Sequence, residues 1–95
     1  GGESQSTVPI VTIDSLIDDL DNAYSQGLIT KKGIYLSLKY QFQSVKKLLQ
    51  KNKTALAKRR LSYIKRIIAR ITPRYIKQPA SDILRNNIGV LISSL

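Results

Sequence analysis

The chain has 95 residues, of which 42% are apolar, and a formal net charge of +10. A chain of this length and composition supports one compact core and not two. It contains no Cys, His, Met or Trp, which excludes disulfides, thiol and imidazole catalysis, and the usual soft-metal sites. No run approaches the roughly 20 apolar residues of a membrane span.

The positive charge is confined to the later part of the chain. All five acidic residues among the first 30 positions precede every basic residue, whereas residues 31–95 contain sixteen Lys or Arg and one acid, Asp82. The net charge of +10 is therefore −5 followed by +15. A surplus this one-sided repels itself and is usually tolerated where an anionic partner supplies the countercharge. We therefore expect the domain to bind a polyanion.

The first segment, residues 1–11, predicts a linker or tag, and residues 12–95 are expected to form the single domain. The chain starts at Gly1-Gly2 without Met, so we expect it to be part of a longer protein. Thr12 is the expected N-cap of helix 1, and Gly27 is its stop. The apolar positions of this helix are Ile13, Leu16, Ile17, Leu20 and Tyr24.

Three longer helices are predicted after it. Their signals are a cap at Thr30 and an end near Asn52 for helix 2, a start at Thr54 and a stop at Pro73 for helix 3, and a first turn with Pro79 and Asp82 for helix 4. The expected core positions are Ile34, Leu38, Phe42 (or Gln41), Val45 and Leu49, then Leu56, Ala57, Leu61, Ile64, Ile67, Ile68 and Ile71, then Ile83, Leu84, Ile88, Leu91, Ile92 and Leu95. Short connections make consecutive helices antiparallel neighbours. The predicted fold is all-α, a small four-helix bundle that is monomeric as an isolated domain.

The acidic residues of helix 1 admit two interpretations. Asp14, Asp18 and Asp21 lie at i, i+4 and i+7, so they form either a cation site or a solvated face that pairs with the basic helices. The second interpretation is favoured. No pair of carboxylates in a cleft, no Gly-rich phosphate loop and no nucleophile with a base is indicated. The chain is therefore expected to be neither an enzyme nor the holder of a cofactor or metal.

The candidate binding residues are two basic stripes. On helix 3, Arg59, Tyr63, Arg66 and Arg70 follow one face opposite the core side. On helix 2 and the residues just after it, Lys39, Gln43, Lys46, Gln50 and Lys53 repeat the same spacing. Side by side, the two stripes would form a ribbon where Arg binds phosphate, sulfate or carboxylate bidentately and Tyr63 stacks on a ring. The alternative is that these side chains only solvate the faces opposite the core.

A series of helix-core and helix-cap residues from Gly27 onward forms a recognisable order: Gly27-Leu28-Ile29-Thr30-Lys31-Lys32-Gly33-Ile34, Ser37-Leu38, Asn52-Lys53, Ala57, Leu61, Tyr63-Ile64, Ile67, Ile76, Ala80, Leu84 and Leu91-Ile92. This order resembles that of the FIMAH domain, a helical module appended to secreted multidomain bacterial proteins, often polysaccharide-degrading enzymes or peptidases. The resemblance covers about residues 13–92. Tyr63 stands where the family favours Phe, the family's central His is missing, and Thr72-Pro73-Arg74 replaces its Gly-containing turn.

The resemblance implies an accessory module of a secreted or cell-surface bacterial protein, covalently linked to a catalytic domain. Together with the charge it predicts a non-catalytic domain that attaches its parent to an anionic polymer: an acidic polysaccharide, a glycosaminoglycan or a phosphate-bearing wall polymer. Two alternatives remain open. The same stripes suit a nucleic-acid-binding domain, and they suit a structural module that docks on an acidic patch of a neighbouring protein.

Overall fold

The structure is a computed structural model that describes residues 11–95, and residues 1–10 of the predicted linker (residues 1–11) lie outside the described residues. Four helices follow one another: α1 (Ile13–Ser25), α2 (Lys32–Gln50), α3 (Thr54–Ile71) and α4 (Gln78–Ser94). Each helix contacts two others, in the cyclic order α1, α2, α3, α4. Within the described residues, the backbones of the diagonal pairs α1/α3 and α2/α4 do not approach each other as closely as those of neighbouring helices. The predicted four-helix bundle is confirmed.

One continuous apolar core fills the space between the four helices. Its buried residues are Ile13, Leu16, Leu20, Ala23, Ile29, Leu38, Phe42, Val45, Ala57, Leu61, Ile64, Ile68, Ile76, Ala80, Leu84, Ile88 and Leu91. Val11, at the end of the predicted linker, also packs against this core. The open choice on α2 is settled in favour of Phe42, which is fully buried, whereas Gln41 is half-buried.

The helix ends explain why the bundle turns where it does. Thr12 caps α1 as predicted, in a capping box with Ser15 in which each side chain accepts from the other's backbone N–H. Gly27, at φ 76°, ends α1, and the N–H of Leu28 donates to the carbonyl of Ala23 at 2.9 Å. Asn52 ends α2 in the same left-handed conformation, at φ 60°. Both ends are Schellman-type stops, which satisfy carbonyls of the last helical turn.

Thr30 was predicted to cap α2, and this prediction is wrong. The N-cap of α2 is Lys31, which makes no side-chain capping bond. Thr30 instead donates its backbone N–H to the carbonyl of Tyr75 at 2.9 Å, next to an isolated antiparallel bridge between Ile29 and Ile76. This bridge ties the α1–α2 connection to the α3–α4 connection at one end of the bundle.

Two predicted core residues face solvent instead. Leu56 in α3 is 47% exposed and Ile83 in α4 is 52% exposed. Each lies one position before a buried residue of its helix, and a step of about 100° around the helix axis moves it from the core stripe to its edge. The buried stripe of α3 is therefore narrower than the sequence predicted. Leu56 lies outside it, at the surface beside the junction of α3 with α2.

Candidate anion-binding surface

The outward side of α3 carries the first predicted stripe. Arg59, Tyr63, Arg66 and Arg70 are all exposed, and the buried residues of α3 lie on the other side of the helix. Arg59 and Arg70 are eleven positions apart, which is about 16 Å along the helix axis. We call these four residues the α3 basic face. The structure thus brings together the four helix 3 residues that the sequence singled out.

The predicted stripe on helix 2 does not lie beside the α3 basic face. Lys39 Nζ lies 3.1 Å from Asp21 Oδ1, and Lys46 Nζ lies 2.8 Å from Asp14 Oδ1. Both lysines therefore face α1, on the side of α2 that points away from α3. Lys53 is exposed at the start of α3. The expected ribbon of two adjacent stripes is corrected to a single basic surface on α3, because Lys39 and Lys46 of the α2 stripe face α1 and pair with its acids.

A small polar and aromatic cluster holds α1 against α2. The Tyr35 hydroxyl donates to Asp21 Oδ1 at 2.6 Å, and Lys39 Nζ lies 3.2 Å from the same hydroxyl. The rings of Tyr24 and Tyr35 stack with centroids 4.2 Å apart. The hydrogen bond from Tyr35, assisted by Lys39, lowers the pKa of the Asp21 carboxyl below its ordinary value. These contacts give Asp21 a structural role, because it links α1 to α2.

The acidic residues of α1 follow the solvated-face interpretation. Asp14 and Asp21 pair with lysines of α2, and Asp19 accepts a hydrogen bond from the side-chain amide of Asn87 at 2.8 Å. Asp18 is exposed. Within residues 11–95, no group of three or more Asp, Glu, His or Cys side chains is placed to hold a metal ion.

The cations of α3 differ from those of α2 and α4 in their ion pairing. α3 carries Lys58, Arg59, Arg60, Lys65, Arg66 and Arg70 and no acid. The ion pairs formed among residues 11–95 are Lys39–Asp21, Lys46–Asp14 and Arg85–Asp82, so none of the six α3 cations pairs with an acid of this part of the chain. The acidic α1 lies diagonally across the bundle from α3. The outward side of α3 is therefore a basic surface whose cations form no ion pair with an acid among residues 11–95.

A shallow depression lies where the first half of α3 meets the end of α2. Its lining residues are Leu48, Leu56, Arg59, Arg60 and Tyr63, and we call it the α2–α3 depression. A second shallow depression, on the outer side of α3, is lined by Lys58, Arg59, Ser62, Tyr63 and Arg66. Arg59 and Tyr63 line both, so the two form one continuous open surface.

Five residues that line this surface were not predicted from the sequence: Leu48, Leu56, Lys58, Arg60 and Ser62. Leu56 was placed in the core, although its position beside the fully buried Ala57 is a signal that it borders the core stripe. Arg60 lies off the linear stripe, and it lines the depression together with Leu48 of α2. It becomes part of the surface only when the neighbouring helix supplies the other wall.

Comparison of the chain with models of protein families, with curated proteins and with solved structures gives no significant match. In the part of the chain that the structure describes, none of the four helices combines the length and apolar character that crossing a bilayer requires.

Proposed function

We propose that this domain is a non-catalytic module that binds an anionic polymer through the α3 basic face. The observation that carries the proposal is the concentration of six cations on α3 without an acidic partner among residues 11–95. Like charges held this close destabilise the folded domain unless an anion neutralises them. Arginine suits this role because its planar fork binds phosphate, sulfate or carboxylate bidentately.

The shape of the surface supports a polymer as the ligand. The α3 basic face is open along about 16 Å of helix, and its depressions are shallow and continuous with each other. A small molecule is usually bound in a concave pocket that buries most of its surface. An extended chain gains affinity by contacting several cations in succession, which this surface offers.

The resemblance to the FIMAH domain supplies the proposed context. In that setting the module belongs to a secreted or cell-surface bacterial protein, is covalently linked to a catalytic domain, and holds that domain on an acidic polysaccharide, a glycosaminoglycan or a phosphate-bearing wall polymer. The binding surface proposed for this chain depends on the charges of α3 and is independent of that context.

The test is a triple substitution on the α3 basic face. Changing Arg59, Arg66 and Arg70 together to Gln should weaken binding to heparin and polygalacturonate by more than tenfold, about 1.4 kcal/mol or more. Wild-type affinity should also fall steeply between roughly 50 and 200 mM salt, since several charges are neutralised on binding. Isothermal titration calorimetry measures both, and circular dichroism checks that the variant remains helical.

The matched control removes the same charge elsewhere. Lys31, Lys32 and Lys77 are exposed near the end of the bundle, and changing them to Gln should weaken binding much less than the arginine triple. Arg85 is unsuitable as a control because it contacts Ser81 and Asp82. Equal losses from the two triples would mean that net charge alone attracts the polymer. Unchanged binding in the arginine triple would rule out the α3 basic face.

A further inference from the structure

We infer that the polymer is an acidic polysaccharide, and that the α2–α3 depression holds one of its uronate rings. This inference rests on the proposed function and names the ligand of the same surface. The depression combines two elements: an apolar wall formed by Leu48, Leu56 and Tyr63, and two guanidinium groups, those of Arg59 and Arg60. The ligand must therefore present an apolar face and an anionic group on the same unit.

The apolar wall is the informative part. Leu56 is 47% exposed and Tyr63 is 53% exposed, and both lie on α3, which carries six cations and no acid. Attraction of a polyanion by charge alone gives no role to a leucine and a tyrosine ring at the same place. Exposed apolar groups next to convergent polar groups are typical of binding sites.

A uronate ring satisfies both requirements. One face of a pyranose ring carries C–H groups that pack on an aromatic or aliphatic surface, and its carboxylate can accept two parallel hydrogen bonds from an arginine. Polyglutamate and polyphosphate carry the charge without a ring. Proteins that bind single-stranded nucleic acids stack successive bases on several aromatic side chains, whereas Tyr63 is the single aromatic residue of α3. The polysaccharide is therefore the better fit.

The experiment removes the two exposed members of the apolar wall, Leu56 and Tyr63, and keeps every charge. The double variant Leu56→Ala/Tyr63→Ala is titrated with an oligogalacturonate, with polyglutamate of matched charge, and with oligothymidylate, at roughly 200 mM salt where charge attraction is weakened. Its affinity for oligogalacturonate should fall about tenfold or more, and its affinity for polyglutamate should change less than about twofold. Tyr63→Phe, which retains the ring, should bind oligogalacturonate like the wild type.

The control is the equivalent pair on another face. Tyr40, which is 72% exposed, lines a groove between α1 and α2, and Leu36 on the same helix is 49% exposed. Leu36→Ala/Tyr40→Ala should leave binding to oligogalacturonate unchanged. All variants replace exposed side chains, and circular dichroism checks that each retains its helical content.

The outcomes separate this inference from the proposed function. Equal binding of oligogalacturonate and polyglutamate, with no effect of the Leu56/Tyr63 double variant, would overturn the inference and leave polyanion binding intact. A salt-resistant, Tyr63-dependent component seen only with oligothymidylate would overturn it in favour of nucleic acid. Failure of all three polymers to bind, at low salt as well, would refute the proposed function and the inference together.

Discussion

Two leucines of α3 give a direct test of the core. Leu61 is fully buried near the middle of α3, whereas Leu56, on the same helix, is 47% exposed. Both were expected in the core from the apolar pattern, and only Leu61 is there. Replacing each with Ala removes the same atoms from two different environments. The difference in the free energy of unfolding between the two variants therefore measures how much more buried Leu61 is than Leu56.

The expected magnitudes differ several-fold. Leu61→Ala removes buried methyl groups and leaves a cavity, at a cost of about 2–5 kcal/mol. The total stability of a domain of this size is about 4–13 kcal/mol, at roughly 0.05–0.15 kcal/mol per residue. The substitution thus removes a large share of the total. Leu56→Ala should change the stability by less than about 1 kcal/mol, since half of this side chain already contacts water.

Urea unfolding followed by far-ultraviolet circular dichroism is the assay. Leu61→Ala should lower the transition midpoint strongly with an unchanged m-value, and Leu56→Ala should leave the midpoint almost in place. Equal losses in the two variants, or a Leu61→Ala variant as stable as the wild type, would refute the position of the core in this bundle.

Two further predictions concern polar contacts of the bundle. Because the hydrogen bond from Tyr35 lowers the pKa of Asp21 in the folded state, the ionised carboxylate stabilises the fold above the unfolded-state pKa of about 4, and that stability is lost as the pH falls through the folded-state pKa. Urea unfolding at a series of pH values should show that Asp21→Asn loses less free energy of unfolding on acidification than the wild type does. An identical loss in the two proteins would contradict this prediction. Thr12→Ala should lower the stability of the fold by about 1 kcal/mol through loss of the N-cap. Thr30→Ala should lower it by less than half of that, since the Thr30 hydroxyl makes only a 3.4 Å contact. If thermal melts showed the larger loss for Thr30→Ala, Thr30 would be the cap after all.

The helices and their ends were predictable because local signals determine them. Thr12 caps α1, Gly27 adopts a positive φ that favours glycine, and α3 ends at Ile71 ahead of Pro73. Each of these effects acts within a few residues of the chain. The buried positions at the centre of each stripe, such as Leu61, were predictable for the same reason.

The features that escaped prediction depend on residues distant in sequence. Thr30 resembles a helix cap locally, but its N–H bonds to Tyr75, which is 45 positions away. Leu56 lies at an apolar position, but how much of it is buried depends on how closely α2 approaches. A helical period gives the direction of the core. It does not give the width of the contact that each neighbouring helix makes.

The charge distribution over the bundle depends both on the local sequence and on how distant helices pack together. In a four-helix bundle with short connections, α1 must neighbour α2 and α4 and lie diagonally opposite α3. The acidic start of the chain is therefore placed against α2, where Asp14 and Asp21 engage Lys46 and Lys39, and away from α3. Separation of charge along the sequence thus becomes separation of charge across the bundle. Among residues 11–95, two of the α2 lysines are therefore paired with acids of α1, whereas none of the six α3 cations is paired, and α3 is the helix on which we expect an anionic partner to bind.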